Sequence, residues 1–287
     1  MTKLQDTELI LTSENKIYHL NLTKKEIADD IILVGDPDRV AVISSKFDNI
    51  DYKIQNREFI THTGTLKGKR ISVIATGIGP DNIDIVINEL DALVNIDFKT
   101  KTIHKKKKSL NLIRLGTSGA LQSNINIDTF LASSFGLGFD NLAHFYNNKK
   151  ILEKKMGTEY LKHSNWPQNL SEPYFVKASS SLLNIFSDLK QGITATAPGF
   201  YGPQGRHLRI PPSITDLHEK MASFKFDKHQ ITNFEMETSA LYYLGKALGH
   251  NTLTVCAIIG NRINQDYSKD YKKTVENMID LVLKRIC

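Results

Sequence analysis

The chain has 287 residues, of which 40% are apolar and 24% are charged, a composition that is typical of a folded globular protein and excludes wholesale disorder. Its two cysteines cannot form a disulfide framework, no run of about 18 apolar residues could span a membrane, and the polar N-terminal residues do not resemble a secretory signal. The net charge of +6 favours anionic partners, such as nucleic acid, an acidic membrane surface or a phosphate-bearing small molecule. We therefore expect a cytoplasmic protein without a membrane segment.

Four short apolar segments predict buried strands. They are residues 31–34, 71–75, 112–115 and 253–259, and each is followed within two residues by a glycine. Uninterrupted apolar runs of this length are typical of strands that are covered on both faces. Residues 61–75 also predict a hairpin, with Lys67 and Gly68 at its turn.

Apolar side chains three and four positions apart predict helices between the strands. Asp81 is the expected N-cap of the first helix, Gly249 ends the second, and a short helix is expected near residues 151–156. The three apolar stripes consist of Ile83, Val86, Ile87 and Leu90, of Met236, Ala240, Leu244 and Leu248, and of Tyr271, Val275, Met278, Ile279 and Val282. Alternating strands and helices indicate a largely parallel α/β sheet, and without a linker or repeat, residues 1–287 are expected to form one domain.

Two segments lack this regular pattern. Residues 99–108 carry six lysines and no acidic side chain, which is typical of a solvated loop, although such charge also occurs at nucleic-acid contacts. No interleaved aromatic side chains support binding to a single strand. Residues 139–179 show poor periodicity, and an excursion of this length inside a compact domain is often a lid or a specificity loop.

The familiar cofactor motifs are incomplete in this sequence. Gly77-Ile78-Gly79 has Asn82 where a dinucleotide fingerprint needs its third glycine, and Gly136-Leu137-Gly138 has Asn141 there. The chain also lacks a phosphate-binding P-loop, an HExxH zinc motif and a GxSxG nucleophile elbow. The sequence therefore does not support a nicotinamide-dependent, ATP-dependent or zinc-dependent enzyme.

Two arginines near strand ends are candidates for binding an oxyanion. Gly35 begins a turn whose N–H groups suit an anion, and Arg39 adds a guanidinium. Arg114 lies inside an apolar run beside Thr117, and burying a charge is costly unless it is paired or faces a ligand. The alternative is that Asp36 and Arg39 form a local pair at a helix start while Arg114 meets a carboxylate in the core.

Two further segments offer groups for a sugar and a heterocycle. The segment 233–237, expected to open a helix, carries Glu235 and Glu237, whose acceptor oxygens match the vicinal hydroxyls of ribose. Alternatively, these acids only interact favourably with the helix dipole. Phe200, Gln204 and Arg206 supply an aromatic face, an amide and a guanidinium, a suitable set for a heterocycle, although an ordinary Gly-Pro loop also fits.

Eight segments in order resemble the nucleoside phosphorylase family, and within it the uridine phosphorylases. They are YHLNLTK (18–24), ILVGDPDRV (32–40), REF (57–59), TGIG (76–79), IRLGTSGAL (113–121), FYGPQGR (200–206), NFEMET (233–238) and GNR (260–262). The resemblance implies a single three-layer α/β domain with a distorted mixed central sheet flanked by helices. It also implies a homo-oligomer, either a dimer or a hexamer built as a trimer of dimers, with active sites shared between subunits.

The same resemblance implies a role for each matching residue. Phosphate would be bound by Gly35, Arg39, Arg114 and Thr117, with Arg57 from the neighbouring subunit. Ribose would be held by Thr117, Glu235, Met236 and Glu237, with His19 from the neighbour. The base would be recognised by Phe200, Gln204, Arg206, Asn261 and Arg262. Purine members usually have an aspartate where Asn261 stands, so Asn261 followed by Arg262 matches the pyrimidine pattern.

The implied reaction is phosphorolysis of uridine to uracil and ribose 1-phosphate, in pyrimidine nucleoside salvage. Arg39, Arg114, Gln204 and Arg206 would carry the catalysis, with orthophosphate as a substrate and without organic cofactor, divalent metal, nucleic acid or membrane. The alternatives are a purine nucleoside phosphorylase or a nucleosidase of the same family and, from another class, a non-catalytic nucleoside- or RNA-binding protein.

The sequence departs from the family pattern in three places. Some relatives bind a monovalent cation, such as K⁺ at the dimer interface, through the REF glutamate, here Glu58, and a serine that Pro80-Asp81-Asn82 replaces. Residues 99–109 resemble a basic insertion. Residues 139–179 form a longer, variable loop region.

Overall fold

The structure is a computed structural model that describes residues 3–287. Its strands are β1 (Asp30–Val34), β2 (Asn49–Asn56), β3 (Phe59–Leu66), β4 (Lys69–Ala75), β5 (Ile96–Asp97), β6 (Thr102–Ile103), β7 (Asn111–Ala120), β8 (Phe130–Gly138), β9 (Tyr174–Lys177), β10 (Lys190–Thr196), β11 (Lys225–Phe226), β12 (His229–Glu235), β13 (Asn251–Asn261) and β14 (Asp266–Tyr267). Its α-helices are α1 (Asp38–Ser44), α2 (Pro80–Asn95), α3 (Lys154–Ser164), α4 (Ser180–Ile185), α5 (Leu217–Ser223), α6 (Thr238–Leu248) and α7 (Tyr271–Ile286). Short 3₁₀ helices occur at Lys24–Glu26, Leu142–Phe145, Lys149–Ile151 and Gly202–Gln204.

A mixed sheet of twelve strands forms the centre of the molecule, in the order β11-β12-β10-β8-β13-β7-β1-β4-β3-β2, with β9 on β8 and β14 on β13. Strands β4, β1, β7 and β13 pair in parallel, as do β8, β10 and β12. The remaining pairs, including β8 with β13, are antiparallel. The separate β5–β6 hairpin lies outside this sheet.

The sheet is distorted because part of it closes on itself. β12 pairs antiparallel with the end of β7, through Asn233 opposite Ala120 and Phe234 opposite Gly119. Strands β7, β12, β10, β8 and β13 therefore form a closed ring of hydrogen-bonded neighbours. This confirms the distorted mixed sheet that the family resemblance implied.

Helices flank this sheet. α6 packs on β8, β10 and β13 and also contacts α2, while α1 covers β3 and β4 and α7 covers β13 and β7. The largest apolar cluster includes the buried residues of β1, β4 and α2, and a second cluster joins Tyr160, Phe175 and Phe224. None of the helices in residues 3–287 is long and apolar enough to cross a membrane.

The predicted regular elements are largely confirmed. Strands β1, β4, β7 and β13 contain the four predicted apolar runs, and β3 and β4 form the expected hairpin. Lys67 and Gly68 make its turn with positive φ values of 50° and 78°. α6 ends at Gly249, whose φ of 84° is the left-handed conformation that favours glycine after a helix.

Three predicted boundaries are wrong. β7 continues through Gly116 to Ala120, because its glycines lie in extended backbone rather than in a turn. The segment 233–237 does not open a helix: residues 233–235 end β12, and α6 begins at Thr238. α2 begins at Pro80 with Gly79 as N-cap, and not after Asp81, since proline is favoured in the first helical turn.

The two irregular segments have different structures. Residues 99–108 are mostly exposed, as expected of a solvated loop, and Lys101 and Lys108 pair with Asp6 and Asp29. Residues 139–179 are more regular than predicted, with α3 beginning at Lys154 and running beyond the short helix that was expected.

Candidate active site

A cavity of about 680 Å³ opens where β1, β7, β12 and β13 end. Twelve of the predicted site residues line it: Gly35, Arg39, Arg114, Thr117, Phe200, Gln204, Arg206, Glu235, Met236, Glu237, Asn261 and Arg262. Their positions in the chain extend from residue 35 to residue 262, and the fold brings them to one space. His19 and Arg57 are not among the residues that line it.

Arg39 lies at one end of the cavity, in the first turn of α1. Its Nη1 donates to the carbonyl of Leu115 at 3.4 Å, and its Nε lies 3.8 Å from the Asp36 carboxylate. Burial lowers the pKa of Arg39, and the Asp36 charge opposes that shift. The local Asp36–Arg39 pair therefore exists, but it is loose, and both residues still line the cavity beside Gly35.

Arg114 is buried between two carboxylates. Its Nη1 lies 3.2 Å from Glu235 Oε2, and its Nη2 donates to Glu237 Oε2. Burial alone would lower the pKa of Arg114, but the charges of Glu237 and Glu235 outweigh it and raise the pKa. The core carboxylates of the alternative interpretation are therefore present, and they are the same acids that were predicted to bind ribose.

The guanidinium of Arg114 is not fully satisfied by these carboxylates. Its buried Nε and Nη1 have no hydrogen-bond acceptor within residues 3–287. For Nη1 the reason is that its contact with Glu235 is close but poorly aligned. Leaving a buried donor unpaired costs about 1–3 kcal/mol. The guanidinium also occupies the space where a β-carbon at Gly116 would lie. Glycine at that position therefore allows the arginine to fold back along its own strand.

The two glutamates are fixed by backbone groups at the starts of two helices, Glu235 at α6 and Glu237 at α2. Glu235 accepts from the N–H groups of Glu237 at 3.0 Å and Thr238 at 3.1 Å, and from Thr196 Oγ1 at 2.7 Å. Glu237 Oε1 accepts from Gly79 N at 2.8 Å. Burial, the negative charge of Glu235 and the opposing charge of Arg114 act on Glu237, and the net effect raises its pKa. Glu235 thus stabilises the start of α6, Glu237 binds the N-cap residue of α2, and both acids line the cavity.

Gln204 lies at the centre of the opposite end. Arg206 Nη1 donates to its side-chain oxygen at 2.6 Å, and the Arg206 guanidinium stacks over the Phe200 ring at 3.6 Å. Arg262 Nη1 donates to the Gln204 backbone carbonyl at 3.1 Å. Burial, and after it the nearby charge of Arg206, lowers the pKa of Arg262 to about 10. Neither arginine pairs with a carboxylate within the described chain, so this end is rich in donors and in positive charge.

Asn261 is predominantly engaged with the backbone. Its Nδ2 donates to the carbonyls of Gln122 at 2.9 Å and Ile125 at 2.8 Å, and its Oδ1 accepts from the N–H groups of Ile263 and Asn264. These contacts fix the turn after β13, on which Arg262 lies. A direct contact of Asn261 with the base stays a prediction.

His19 and Arg57 occupy a separate surface, where they lie near one another. His19 Nδ1 lies 2.7 Å from Glu89 Oε1, and its ring is 6.5 Å from that of Phe59. Arg57 stands in the β2–β3 turn with a φ of 52°, and its Nη2 donates to the Tyr18 hydroxyl at 3.3 Å. Since both residues lie outside this chain's cavity, they reach an active site only if another subunit supplies it.

The predicted cation position lies beside the turn at Gly77. A β-carbon there would be 3.7 Å from Glu58 Cγ, so the glutamate lies against this turn. In the part of the chain that the structure describes, no group of three His, Cys, Asp or Glu side chains could hold a metal ion. A monovalent cation can also use other oxygen ligands, and its binding near Glu58 stays a prediction.

Sequence reasoning missed several residues of the site. Ile78, Phe234, Gln265, Asp266 and Tyr267 also line the cavity. The last three follow the GNR segment and form the short hairpin of β13 with β14, which a search for turns after that motif could have identified. His218 contacts Gln204 from α5, in a segment that carries no motif.

Similar proteins were found by family, by sequence and by structure. The family model described as the phosphorylase superfamily matches residues 29–287. The uridine phosphorylase of Thermococcus kodakarensis is 30% identical, covering 94% of this chain and 87% of that protein, and a DeoD-type purine nucleoside phosphorylase of Alkaliphilus metalliredigens is 30% identical, covering 93% and 97%. A Trypanosoma brucei nucleoside phosphorylase, whose structure is described as showing uridine phosphorylase activity, has a TM-score of 0.85 at 26% identity, covering 96% of this chain and 98% of that chain.

These matches extend over nearly the whole chain, and the family model includes every residue that lines the cavity. The chain therefore belongs to the phosphorylase superfamily.

Proposed function

We propose that this protein is a uridine phosphorylase that cleaves uridine with phosphate to give uracil and ribose 1-phosphate. The observation that carries the proposal is the arrangement of charge in one cavity. Arg39 and Arg114 lie at one end, Glu235 and Glu237 border the space, and the donor groups around Gln204 lie at the other end. Relatives named uridine phosphorylases and the activity described for the trypanosomal structure support the choice of substrate.

The phosphate would bind between Gly35, Arg39, Arg114 and Thr117. Arg114 is held by two carboxylates and retains buried donors without an acceptor in residues 3–287, so a phosphate oxygen would satisfy donors that these residues leave unpaired. Thr117 would contact both phosphate and ribose. Glu235, Met236 and Glu237 would face the sugar, whose hydroxyl groups donate to carboxylates.

The nucleobase would lie against Phe200, with its polar edge toward Gln204, Arg206 and Arg262. During phosphorolysis a phosphate oxygen bonds to C1′ as the C1′–N1 bond breaks. N1 leaves with the bonding electron pair, and the resulting uracil takes up one proton while hydrogen phosphate loses one. Arg206 and Arg262, which have no carboxylate partner among the described residues, favour this developing negative charge, and such fixed donors commonly contribute about 3 kcal/mol each.

The active site would be completed by a second subunit. His19 and Arg57 share one surface outside the cavity of their own chain, which supports their action on a neighbouring active site. The working unit would then be a dimer, alone or as part of a hexamer. We also propose a cytoplasmic location, consistent with two free cysteines.

The test is to follow uridine consumption by the purified protein with and without phosphate, while measuring uracil and ribose 1-phosphate. Phosphate-dependent formation of both products is the expected result. Turnover of inosine in place of uridine would indicate a purine nucleoside phosphorylase, and release of uracil without phosphate would indicate a nucleosidase. Binding of RNA that weakens steeply with salt, without any turnover, would indicate a binding protein.

A further inference from the structure

His218 contacts the base-recognition end of the cavity from outside. It lies on α5, and its Nε2 is 2.7 Å from the backbone carbonyl of Gln204 and 3.0 Å from Arg262 Nη1. Its ring also packs beneath Gly205, where a β-carbon would come within 3.0 Å of Nε2. The imidazole of His218 therefore contacts both the loop that carries Gln204 and the guanidinium of Arg262, which donates to Gln204.

His218, Arg262 and Arg206 form a small hydrogen-bonded network around Gln204. Arg262 Nη1 donates to the Gln204 backbone carbonyl at 3.1 Å, and Arg206 Nη1 donates to the Gln204 side-chain oxygen at 2.6 Å. His218 Nε2 lies within hydrogen-bond distance of both the Gln204 carbonyl and Arg262 Nη1. Because a neutral imidazole nitrogen either donates or accepts, Nε2 serves one of these two partners at a time.

A proton added to His218 would change the charge of this network. The charged groups that face the ring are Arg262 from the turn after β13, Arg206 from the 200–206 loop, and Glu219 from α5 itself. Protonation would place a third cation beside two guanidiniums that have no carboxylate partner within residues 3–287. Burial, and after it the charge of Arg262, lowers the pKa of His218, so the neutral form prevails at pH 7.

We propose that neutral His218 is a positioning residue for nucleobase recognition, which holds Gln204 and Arg262 in place through a hydrogen bond to one and direct contact with the other, and that its protonation weakens nucleoside binding. This inference rests on the proposed function, since it assigns the Gln204 end of the cavity to the base. It predicts different effects on the KM values of uridine and phosphate, because the arginines of the same chain that are proposed to bind phosphate, Arg39 and Arg114, lie on other elements, α1 and β7.

The experiment compares wild-type protein with His218→Gln and His218→Leu. A glutamine amide both donates to a carbonyl and accepts from an arginine without titrating, whereas leucine fills space without either hydrogen bond. His229→Gln is the matched control, since His229 has a pKa lowered by burial but lies at the far end of β12 from the cavity. The KM values of uridine and phosphate, and kcat, are measured at pH 8 for each protein.

The kcat/KM of uridine is then measured from pH 5 to pH 8 at saturating phosphate. All four proteins experience the titration of phosphate itself, so the differences between their profiles report on the enzyme. His218→Leu is expected to raise the KM of uridine about tenfold and to change the KM of phosphate less than twofold. His218→Gln is expected to keep a near wild-type KM for uridine at pH 8. Its kcat/KM for uridine is expected to fall less at acid pH than that of wild type and His229→Gln, because only the decline caused by His218 protonation is removed.

Three results would overturn the inference: a uridine KM within twofold of wild type in His218→Leu, an equal rise in both KM values, or an unchanged acid decline in His218→Gln. Failure of the proposed function gives a different result. Wild-type protein would then not convert uridine at any pH, and the role of His218 in uracil recognition would fall with it.

Discussion

The guanidinium of Arg114 folds back over Gly116, two residues further along the same strand, and fills the space of the missing side chain. This contact lets a buried arginine remain in its strand while its charge meets Glu235 and Glu237. A side chain at position 116 would compete directly with the arginine for that space.

Gly116→Ala is therefore expected to displace Arg114 and to weaken phosphate use. Overpacking at a buried site costs about 1–3 kcal/mol of stability, and loss of an aligned transition-state cation lowers kcat/KM for phosphate by about 100-fold. Thermal unfolding and steady-state kinetics measure both effects. Gly157→Ala is the control, because Gly157 lies within α3 and its new β-carbon would lie 4.0 Å from the carbonyl oxygen of Pro173. Wild-type phosphate kinetics in Gly116→Ala would show that Arg114 can bind phosphate from a different side-chain position.

Arg206→Ala is expected to abolish most uridine turnover while the protein stays folded. The arginine donates to Gln204 and stacks on Phe200, and its side chain is only partly buried, so its removal leaves the core intact. We expect kcat/KM for uridine to fall by about 100- to 1,000-fold, with a melting temperature close to that of wild type. Unchanged uridine kinetics in this variant would contradict the assignment of this end of the cavity to the base.

Mixing two inactive variants tests whether the active site is shared. Arg57→Ala removes the residue outside the cavity, and Arg206→Ala removes a residue within it. If Arg57 acts on the neighbouring subunit, a heterodimer contains one intact site, and random mixing restores about a quarter of the wild-type activity. The variants are unfolded and refolded together, or coexpressed, before assay. Two folded variants that exchange subunits but stay inactive would indicate that Arg57 serves its own chain.

The two cysteines should differ in reactivity. Cys256 is fully buried in β13, and burial raises the pKa of its thiol to about 12, so almost none is thiolate at pH 8. Cys287 at the C-terminus is partly exposed. Treatment of the native protein with iodoacetamide at pH 8 should give at most one adduct, on Cys287, while unfolded protein gives two. Mass spectrometry distinguishes these cases, and a native adduct on Cys256 would mean that β13 opens readily.

Strands β1, β4, β7 and β13 and helices α2, α6 and α7 could be predicted because apolar periodicity reports burial directly, whereas β8, β10 and β12 of the same sheet were not predicted. The end of β7 could not be predicted, because glycines usually mark turns. Here Gly116 instead lies within a strand and leaves space for the Arg114 guanidinium. Residues 233–235 were expected to open a helix because the stripe beginning at Met236 has helical spacing. In the structure Met236 is excluded from α6, and Glu235 accepts from the first N–H groups of that helix.

Most of the cavity residues could be named from motifs that stand at strand ends. Their pairing could not be read from the sequence, because it depends on the closure of β7 on β12, which brings Arg114 to Glu235 across more than a hundred residues. The role of His218 depends on how α5 packs against the 200–206 loop. Neither contact leaves a local pattern, since each joins segments that are distant in the chain.

The closed ring of strands divides the cavity into two parts with different freedom to change. Arg114 and Glu235 lie on β7 and β12, two members of that ring, so a substitution there disturbs strand pairing as well as chemistry. Gln204 and Arg206 lie on a loop between β10 and α5 that carries one short 3₁₀ turn and is outside the paired strands of the ring. Evolution could therefore exchange the base that is accepted by altering this loop, while the sugar and phosphate chemistry stays fixed by the sheet.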